Sequence, residues 1–235
     1  MNTFFDFFFM HSPQLFIVST PIGNLDDMTF RAVKTLQNVD TIICEDTRHT
    51  NKLLQRYEIK KPLISFHGHS SQQKAKKILE TMIEKEADYA YVSDAGTPGI
   101  SDPAYILKIM AQKMNIKIVP IPGAAAFLTA LQAAPLPIHN FIYLGFLPVK
   151  KGRQTLLKTF IDEPRTIVFY ESVHRIQKTL TELKDIRGED GNITIGRELT
   201  KKFEEFFHGT IQEAIDHFLS PKGEFVVILP PAVKK

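Results

Sequence analysis

Cysteine is almost absent from this chain: Cys44 is the only one among 235 residues. A disulfide framework and a cysteine-rich zinc site are therefore excluded, and this composition is typical of a reducing compartment. No apolar run approaches the roughly 20 residues that a membrane-spanning helix requires. The formal net charge is only +3, so a nucleic-acid partner has to be argued from where the basic residues lie.

The common phosphate-binding motifs are also missing. The sequence contains no G-x-x-x-x-G-K-[ST], and no G-x-G-x-x-G follows a predicted strand. An ATPase or an ordinary dinucleotide-dependent enzyme is therefore disfavoured. Instead, Gly/Pro loops follow several predicted strands, at 21–24, 94–103 and 122–126. Such loops suit a ligand that is held mainly by backbone groups.

Apolar segments of strand length alternate with helical patterns in the first half of the chain. The predicted strands are apolar on both faces, which is typical of a mostly parallel sheet covered by helices on each side. These strands are at 15–19, 41–44, 63–66, 89–93 and 117–121, with helices at 47–57, 71–85 and 104–114. A further helix, with apolar residues Phe30, Val33 and Leu36, is predicted to be capped by Asp26 or Asp27.

The second half differs, because several predicted strands are linked by short turns rather than helices, which indicates a mixed sheet. An alanine-rich helix at 124–133 precedes strands at 141–144, 166–170, 193–197, 203–208 and 225–229. We therefore expect an α/β protein with two α/β domains, at 14–121 and 122–235.

The Phe-rich start, 1–13, is expected to be an N-terminal extension, either disordered or packed on the fold, unless Met10 is the true start. It lacks the basic lead and the cleavage site of a signal peptide.

The segment 91–103 is the most informative part of the sequence. A short apolar strand is followed directly by two glycines, two prolines and two carboxylates, which an ordinary surface connection does not need. These residues are Gly96, Gly99, Pro98, Pro103, Asp94 and Asp102. Because ligands bind at the carboxyl edge of open α/β sheets, the pattern predicts a rigid loop whose carboxylates face a polar or cationic ligand.

Several other short motifs accompany this loop. They are STPIGNL at 19–25, EDTRHT at 45–50, SDAGTP at 93–98, PG at 122–123, GFLP at 145–148, FYES at 169–172, HR at 174–175 and RELTK at 197–201. Together they resemble the tetrapyrrole methylase superfamily and, more narrowly, its ribosomal branch, the small-subunit rRNA methyltransferase I family. The resemblance extends from about residue 15 to residue 229.

The resemblance implies an enzyme that uses S-adenosylmethionine to methylate the 2′-oxygen of a cytidine ribose in the decoding region of 16S rRNA. It also implies a cytoplasmic homodimer without membrane association, which acts on rRNA of the small ribosomal subunit. The implied fold has two α/β domains with the cofactor in the cleft between them, in agreement with the domains expected above.

The expected cofactor carries a sulfonium cation, which prefers carbonyl oxygens and carboxylates to the N–H-rich loop that a phosphate requires. Asp94 lies where such a carboxylate is needed, and the backbone of Ala95, Gly96 and Thr97 is expected to hold the rest of the cofactor. The resemblance adds Pro21, Ala125, Ala126, Tyr170 and Gly223 to the predicted cofactor site. For the two alanines, simple helix packing is the alternative interpretation.

A ribose hydroxyl is a poor nucleophile, so a base or a hydrogen-bond acceptor should assist it. The candidates are Glu45, Asp46, Glu171, Glu198 and Lys201. Helix capping is the alternative for Asp46, and an internal salt bridge is the alternative for Glu198.

Basic residues beside these motifs are predicted to contact RNA phosphates. A guanidinium group meets phosphate oxygens in a fork, which favours Arg48 and Arg197. His49 and the loop residues Lys150, Lys151 and Arg153 complete the predicted set. The pair His67 and His69 has no visible third ligand, so a polar loop is favoured over a metal site, and no metal is predicted.

Two functions other than rRNA methylation are compatible with this resemblance. One is a methylase of a tetrapyrrole precursor, against which the EDTRHT motif and the lysine-rich loop argue. The other is a non-catalytic ribosome-binding protein on the same fold, against which the intact loop at 94–98 argues.

Overall fold

The computed structural model describes residues 12–68, 70–100, 102 and 104–232. Its internal contacts divide the chain into two compact units. The first comprises the chain up to Pro21 together with Leu25–Ala124, and the second comprises Ile22–Asn24 and the chain from Ala125 onward. The domain limits 14–121 and 122–235 stay predictions about independently folding parts, and most of the predicted extension 1–13 lies outside the described residues.

Within the described residues, the first unit contains a five-stranded sheet in which every neighbouring pair is parallel, in the order β3-β2-β4-β1-β5. The mostly parallel sheet predicted for this half is therefore confirmed. Parallel strands end at the same edge, so the loops that follow them meet there. The strands are β1 (Gln14–Val18), β2 (Thr41–Cys44), β3 (Leu63–Ser65), β4 (Tyr89–Val92) and β5 (Lys117–Ile121).

Helices cover both faces of this sheet, as its apolar strands require. Alternate residues of β2 divide between two cores: Ile43 packs with α3 and α4, whereas Ile42 and Cys44 pack with α1 and α2. The helices are α1 (Phe30–Asn38), α2 (Thr47–Arg56), α3 (Gln72–Glu84) and α4 (Ala104–Lys113). Both faces of the sheet are thus buried, and its carboxyl edge is left to bind ligands.

The start of α1 differs from the prediction. Asp26 and Asp27 lie in a separate 3₁₀ turn, and the cap is Thr29, whose hydroxyl accepts a hydrogen bond from the Ala32 N–H at 3.1 Å. Phe30, expected on the apolar face of this helix, is 97% exposed. The predicted cap was therefore wrong by two or three residues, because any of these oxygen-bearing side chains can cap a helix.

The second unit contains a mixed sheet, as predicted, and its strand order is β6-β7-β10-β8-β9. Only β6 and β7 are parallel to one another; the other neighbouring pairs in the described sheet are antiparallel. The strands are β6 (Phe141–Phe146), β7 (Thr166–Ser172), β8 (Asn192–Arg197), β9 (Glu205–Thr210) and β10 (Glu224–Leu229).

The expected short turns between these strands are mostly helices. Besides α5 (Ala126–Ala133), the unit has α6 (Arg153–Thr159), α7 (Ile176–Arg187) and α8 (Ile211–His217), and only the β8–β9 connection lacks one among the described residues. Two of the missed helices are only seven residues long, too short for a clear apolar period. No helix in the described ranges is both long enough and apolar enough to cross a membrane.

Candidate active site

Three loops at the carboxyl edge of the first sheet are hydrogen-bonded into one rigid layer. After β1, Thr20 exchanges two backbone hydrogen bonds with Gly96, at 2.9 and 3.1 Å. The Thr20 hydroxyl also donates to the Ser93 carbonyl at 3.2 Å. Thr97 then lies 3.1 Å from the Ser19 hydroxyl and donates to the Ala124 carbonyl, beyond β5, at 2.9 Å. Ser19 and Thr20 begin the STPIGNL motif but were not predicted as site residues, although small hydroxyl residues at a strand end are suited to such cross-links.

Two glycines of the predicted ligand loop adopt backbone angles that favour glycine. Gly96 and Gly99 have φ angles of 78° and 87°, in the region that favours glycine. Asp102 has a structural part in this loop, because its carboxylate accepts hydrogen bonds from the Gly99 and Ala104 N–H groups at 2.6 and 2.8 Å. Asp102 therefore links the loop at the carboxyl ends of the strands to the first residue of α4.

Two carboxylates, Glu45 and Asp94, lie at the ends of the neighbouring strands β2 and β4. The Asp94 N–H donates to Glu45 Oε1, and the Asp46 N–H donates to Asp94 Oδ1, each at 3.2 Å. Burial raises the pKa of Glu45, and the negative charges of Asp102 and Asp94 raise it further, against the opposing hydrogen bond from Asp94. This edge thus concentrates negative charge that a bound cation would stabilise.

Asp46, next to Glu45, is the cap of α2. Its Oδ1 accepts hydrogen bonds from the N–H groups of Arg48 and His49 at 2.7 and 3.3 Å. These bonds lower the pKa of Asp46. The capping interpretation is therefore the one that the geometry supports, and a carboxylate held in this way is a weak base.

In the second unit, the loop after β8 brings Glu198 and Lys201 together. Lys201 Nζ lies 2.9 Å from Glu198 Oε1 and 2.9 Å from Glu224 Oε2. Glu198 Oε1 also accepts the Glu224 N–H at 3.0 Å. The hydrogen bond from Lys201 lowers the pKa of Glu198. Burial alone would lower the pKa of Lys201, but the hydrogen bonds and negative charges of Glu224 and Glu198 outweigh burial, so the pKa of Lys201 is raised.

This loop has an unusual backbone and close neighbours. Glu198 and Thr200 adopt positive φ angles of 48° and 63°, which are uncommon outside glycine. A Cβ at Gly223 would lie 2.6 Å from Glu198 Oε1, and one at Gly23 would lie 2.8 Å from Thr200 Oγ1. Both glycines are therefore required by packing against the 198–201 loop, a role for Gly23 that sequence analysis missed.

The chain matches one protein family over most of its length. The family model Tetrapyrrole (Corrin/Porphyrin) Methylases matches residues 14–215, which is most of the chain. Ribosomal RNA small subunit methyltransferase I of Synechocystis sp. is 47% identical over 221 residues, covering 93% of this chain and 79% of that protein. The chain belongs to the tetrapyrrole methylase family, in its ribosomal RNA small subunit methyltransferase I branch.

Two further matches agree with this methylase assignment. The Thermotoga maritima protein of the same name is 46% identical and matches 92% of this chain and 97% of its own length. Uroporphyrin-III C-methyl transferase from Thermus thermophilus, solved with S-adenyl homocysteine, is 15% identical with a TM-score of 0.65, over 92% of this chain and 96% of that one. At this low identity, the structural likeness supports the methylase fold alone.

The predicted cofactor residues of this methylase lie in both units. Pro21, Asp94 and 95–97 belong to the first, and Pro21 is buried. Ala125, Ala126, Tyr170 and Gly223 belong to the second. Ala125 is the residue before α5, and the Tyr170 hydroxyl accepts the Phe127 N–H at 3.3 Å.

Two of the predicted polar residues are buried in a structural ion-pair cluster. Arg153 is only 3% exposed, and its Nη2 lies 2.6 Å from Glu182. Glu171 is buried as well, 2.8 Å from Arg175 and 3.7 Å from Arg153. The prediction that Arg153 contacts phosphate was therefore wrong, because its guanidinium is turned into the protein, and Glu171 is equally inaccessible as a base.

The other predicted phosphate contacts are at least partly exposed. Arg48 has a side chain that is 91% exposed, beside exposed His49, and Lys150 and Lys151 are exposed in the loop before α6. Arg197 is half-buried in a 2.7 Å ion pair with Glu205 and donates to the Lys222 carbonyl at 3.1 Å.

No metal-binding group emerges from the described part of the chain. There, no three His, Cys, Asp or Glu side chains are grouped so that they could hold a metal ion. His69, one half of the histidine pair considered in the sequence, lies outside the described residues.

Proposed function

We propose that this methylase transfers a methyl group from S-adenosylmethionine to the 2′-oxygen of a cytidine ribose in the decoding region of 16S rRNA. Relatives that carry the name ribosomal RNA small subunit methyltransferase I, at 40–47% identity, support an rRNA substrate. We further propose that it acts on the small ribosomal subunit as a cytoplasmic homodimer.

The acidic carboxyl edge of the first sheet is the observation that carries this proposal. When bound, S-adenosylmethionine supplies an electrophilic methyl group on a sulfonium cation. Glu45 and Asp94 present carboxylates at neighbouring strand ends, and the charges that raise the pKa of Glu45 are negative ones. Backbone groups of 95–97, fixed by the Thr20–Gly96 bonds, complement them. This set of groups fits a cation and not a phosphate.

Glu45 is the best-suited of the proposed proton acceptors. Its raised pKa makes it a stronger base than an ordinary carboxylate, whereas the pKa values of Asp46 and Glu198 are lowered by the groups that they bind. Glu198 and Lys201 are held by each other and by Glu224, which suits them to orienting a substrate rather than to exchanging a proton.

The substrate can be tested directly with labelled S-adenosylmethionine. The purified protein is incubated in parallel with small ribosomal subunits from cells that lack this modification, with naked 16S rRNA and with a uroporphyrinogen substrate. The expected result is label on rRNA. The label should map to a cytidine whose 3′ phosphodiester resists alkaline cleavage because its 2′-oxygen is methylated. Label on the tetrapyrrole, or rRNA binding without any transfer, would contradict the proposal and identify one of the two alternative functions.

A further inference from the structure

Phe146, at the end of β6, is an aromatic residue that the proposed chemistry does not use. The residue is 55% exposed. The pairing of β6 with β7 shifts register between Tyr143 and Phe146, and Gly145 between them has a φ of 61°. Such irregularities turn a side chain away from the regular direction of a strand, so the exposure of this ring is built into the backbone.

Neighbouring rings fix Phe146 from one side. Tyr170 contacts it edge-on, with ring centroids 5.5 Å apart, and Tyr143 contacts Tyr170 at 5.4 Å. Tyr143 in turn stacks on Phe127 at 4.5 Å. This row of aromatic rings supports Phe146 while leaving more than half of the residue exposed.

The residues after Phe146 form a loop with a held backbone and an exposed tip. Arg175 Nη1 donates to the Leu147 carbonyl at 2.9 Å, and Arg153 Nη1 donates to the Pro148 carbonyl at 3.1 Å. The tip then presents Val149, which is 66% exposed, followed by exposed Lys150 and Lys151.

The two arginines that hold this loop are themselves fixed. Both pair with Glu171, whose side chain is fully buried, and Arg153 also donates to the Thr179 hydroxyl at 2.7 Å. Buried charges that are fully paired and hydrogen-bonded have few alternative positions. The loop is therefore ordered before any partner arrives, which reduces the entropy lost on binding.

We propose that residues 146–151 form a platform for an unpaired nucleotide of the RNA substrate, a proposal that rests on the proposed function. A base stacks on the open face of Phe146, and the ammonium groups of Lys150 and Lys151 contact phosphates of the same strand. Aromatic rings flanked by cationic side chains are the usual means of binding unpaired RNA, because every base has a face that can stack. The adjacent lysines favour this anionic partner over an apolar protein surface.

The platform can be tested by RNA binding alone. The probe is a fluorescein-labelled oligocytidylate RNA, and the variants are Phe146→Ala, Phe146→Leu and Phe146→Trp. We expect the first two to bind roughly 5- to 150-fold more weakly, as for the loss of one stacked base, and the tryptophan variant to retain binding. Phe30→Ala removes an even more exposed aromatic ring, on α1, and should leave binding unchanged.

Equal affinity of wild type and Phe146→Ala would overturn the platform, and so would a tryptophan variant as weak as the alanine one. If the alanine variant unfolds, the leucine variant still tests stacking, because leucine retains apolar volume but cannot stack on a base. Methylation of small subunits by the wild type is measured separately. A wild type that methylates rRNA but binds the oligonucleotide independently of Phe146 would reject the platform and leave the proposed function standing.

Discussion

The two units place their buried or half-buried carboxylates in opposite electrostatic surroundings. In the second unit, Glu171 lies between Arg153 and Arg175. In the first, Glu45 receives a backbone hydrogen bond from Asp94, but the charges around it are those of Asp102 and Asp94. Balanced charge of the first kind stabilises a structure. Unbalanced charge of the second kind destabilises the empty protein and is useful when a cation binds.

The largest effect is expected from breaking the balanced cluster. Glu171→Ala leaves the buried Arg153 and the half-buried Arg175 without their common partner, and should lower the free energy of unfolding by about 3–5 kcal/mol. Urea unfolding at neutral pH measures this change. The matched control is Glu80→Ala, which removes an exposed i,i+4 pair with Lys76 and should change the stability by less than about 0.5 kcal/mol. A loss in Glu171→Ala no larger than in this control would contradict the comparison.

The next effect concerns the unbalanced edge. Asp94→Asn keeps an oxygen that can accept the Asp46 N–H and removes only the charge. It should weaken S-adenosylmethionine binding by about 1.5–3 kcal/mol, the usual contribution of a hydrogen bond to a charged group. Calorimetric titration gives the dissociation constant. Asp40→Asn, at the opposite end of β2, is the control and should bind normally, whereas normal binding by Asp94→Asn would remove the proposed role of that carboxylate.

Glutamine variants at positions 45 and 198 should change stability in opposite directions. The raised pKa of Glu45 means that its ionised form destabilises the fold, so Glu45→Gln should raise Tm at neutral pH. This advantage should shrink as the pH falls from the raised pKa towards the ordinary glutamate range and be absent below that range. The lowered pKa of Glu198 gives stability that is present at neutral pH and lost in acid, so Glu198→Gln should lower stability there by less than about 1 kcal/mol. Thermal unfolding across this pH range tests both signs, and shifts in the same direction would contradict them.

The smallest effect is expected at the exposed loop. Replacing Lys150 and Lys151 together by alanine should reduce the slope of log affinity against log salt by about 1.4, which is the release of counterions from two phosphates of a single strand. Fluorescence titration of the oligocytidylate RNA at several salt concentrations measures the slope. Lys76 and Lys77, on α3, provide a double-alanine control of equal charge, and an identical slope in both double variants would count against phosphate contact at the loop.

Sequence patterns predicted the parts of this fold that depend on local chemistry. Apolar runs such as Thr41–Cys44 and Tyr89–Val92 became buried parallel strands, and the Gly96 and Gly99 turn has the positive φ angles that glycine permits. The start of α1 was placed too early because several neighbouring residues can cap a helix, and the seven-residue helices were missed because a short helix has little apolar period.

What the sequence could not predict was which charges find partners. Arg153 follows two exposed lysines and looked like a third phosphate contact, yet it turns inward because Glu171 and Glu182 approach it from β7 and α7. Glu45 and Asp94 are 49 residues apart and meet only because β2 and β4 are neighbours in the sheet. Tertiary pairing of this kind has no local signal.

The central claim is that the Glu45–Asp94 edge recognises positive charge, and the neutral thioether S-adenosylhomocysteine isolates that property. Calorimetry should measure both compounds on the wild type and on Asp94→Asn. We expect the substitution to weaken S-adenosylmethionine binding several-fold more than S-adenosylhomocysteine binding. Equal losses for the two compounds would show that this edge does not sense the sulfonium charge, and would contradict it.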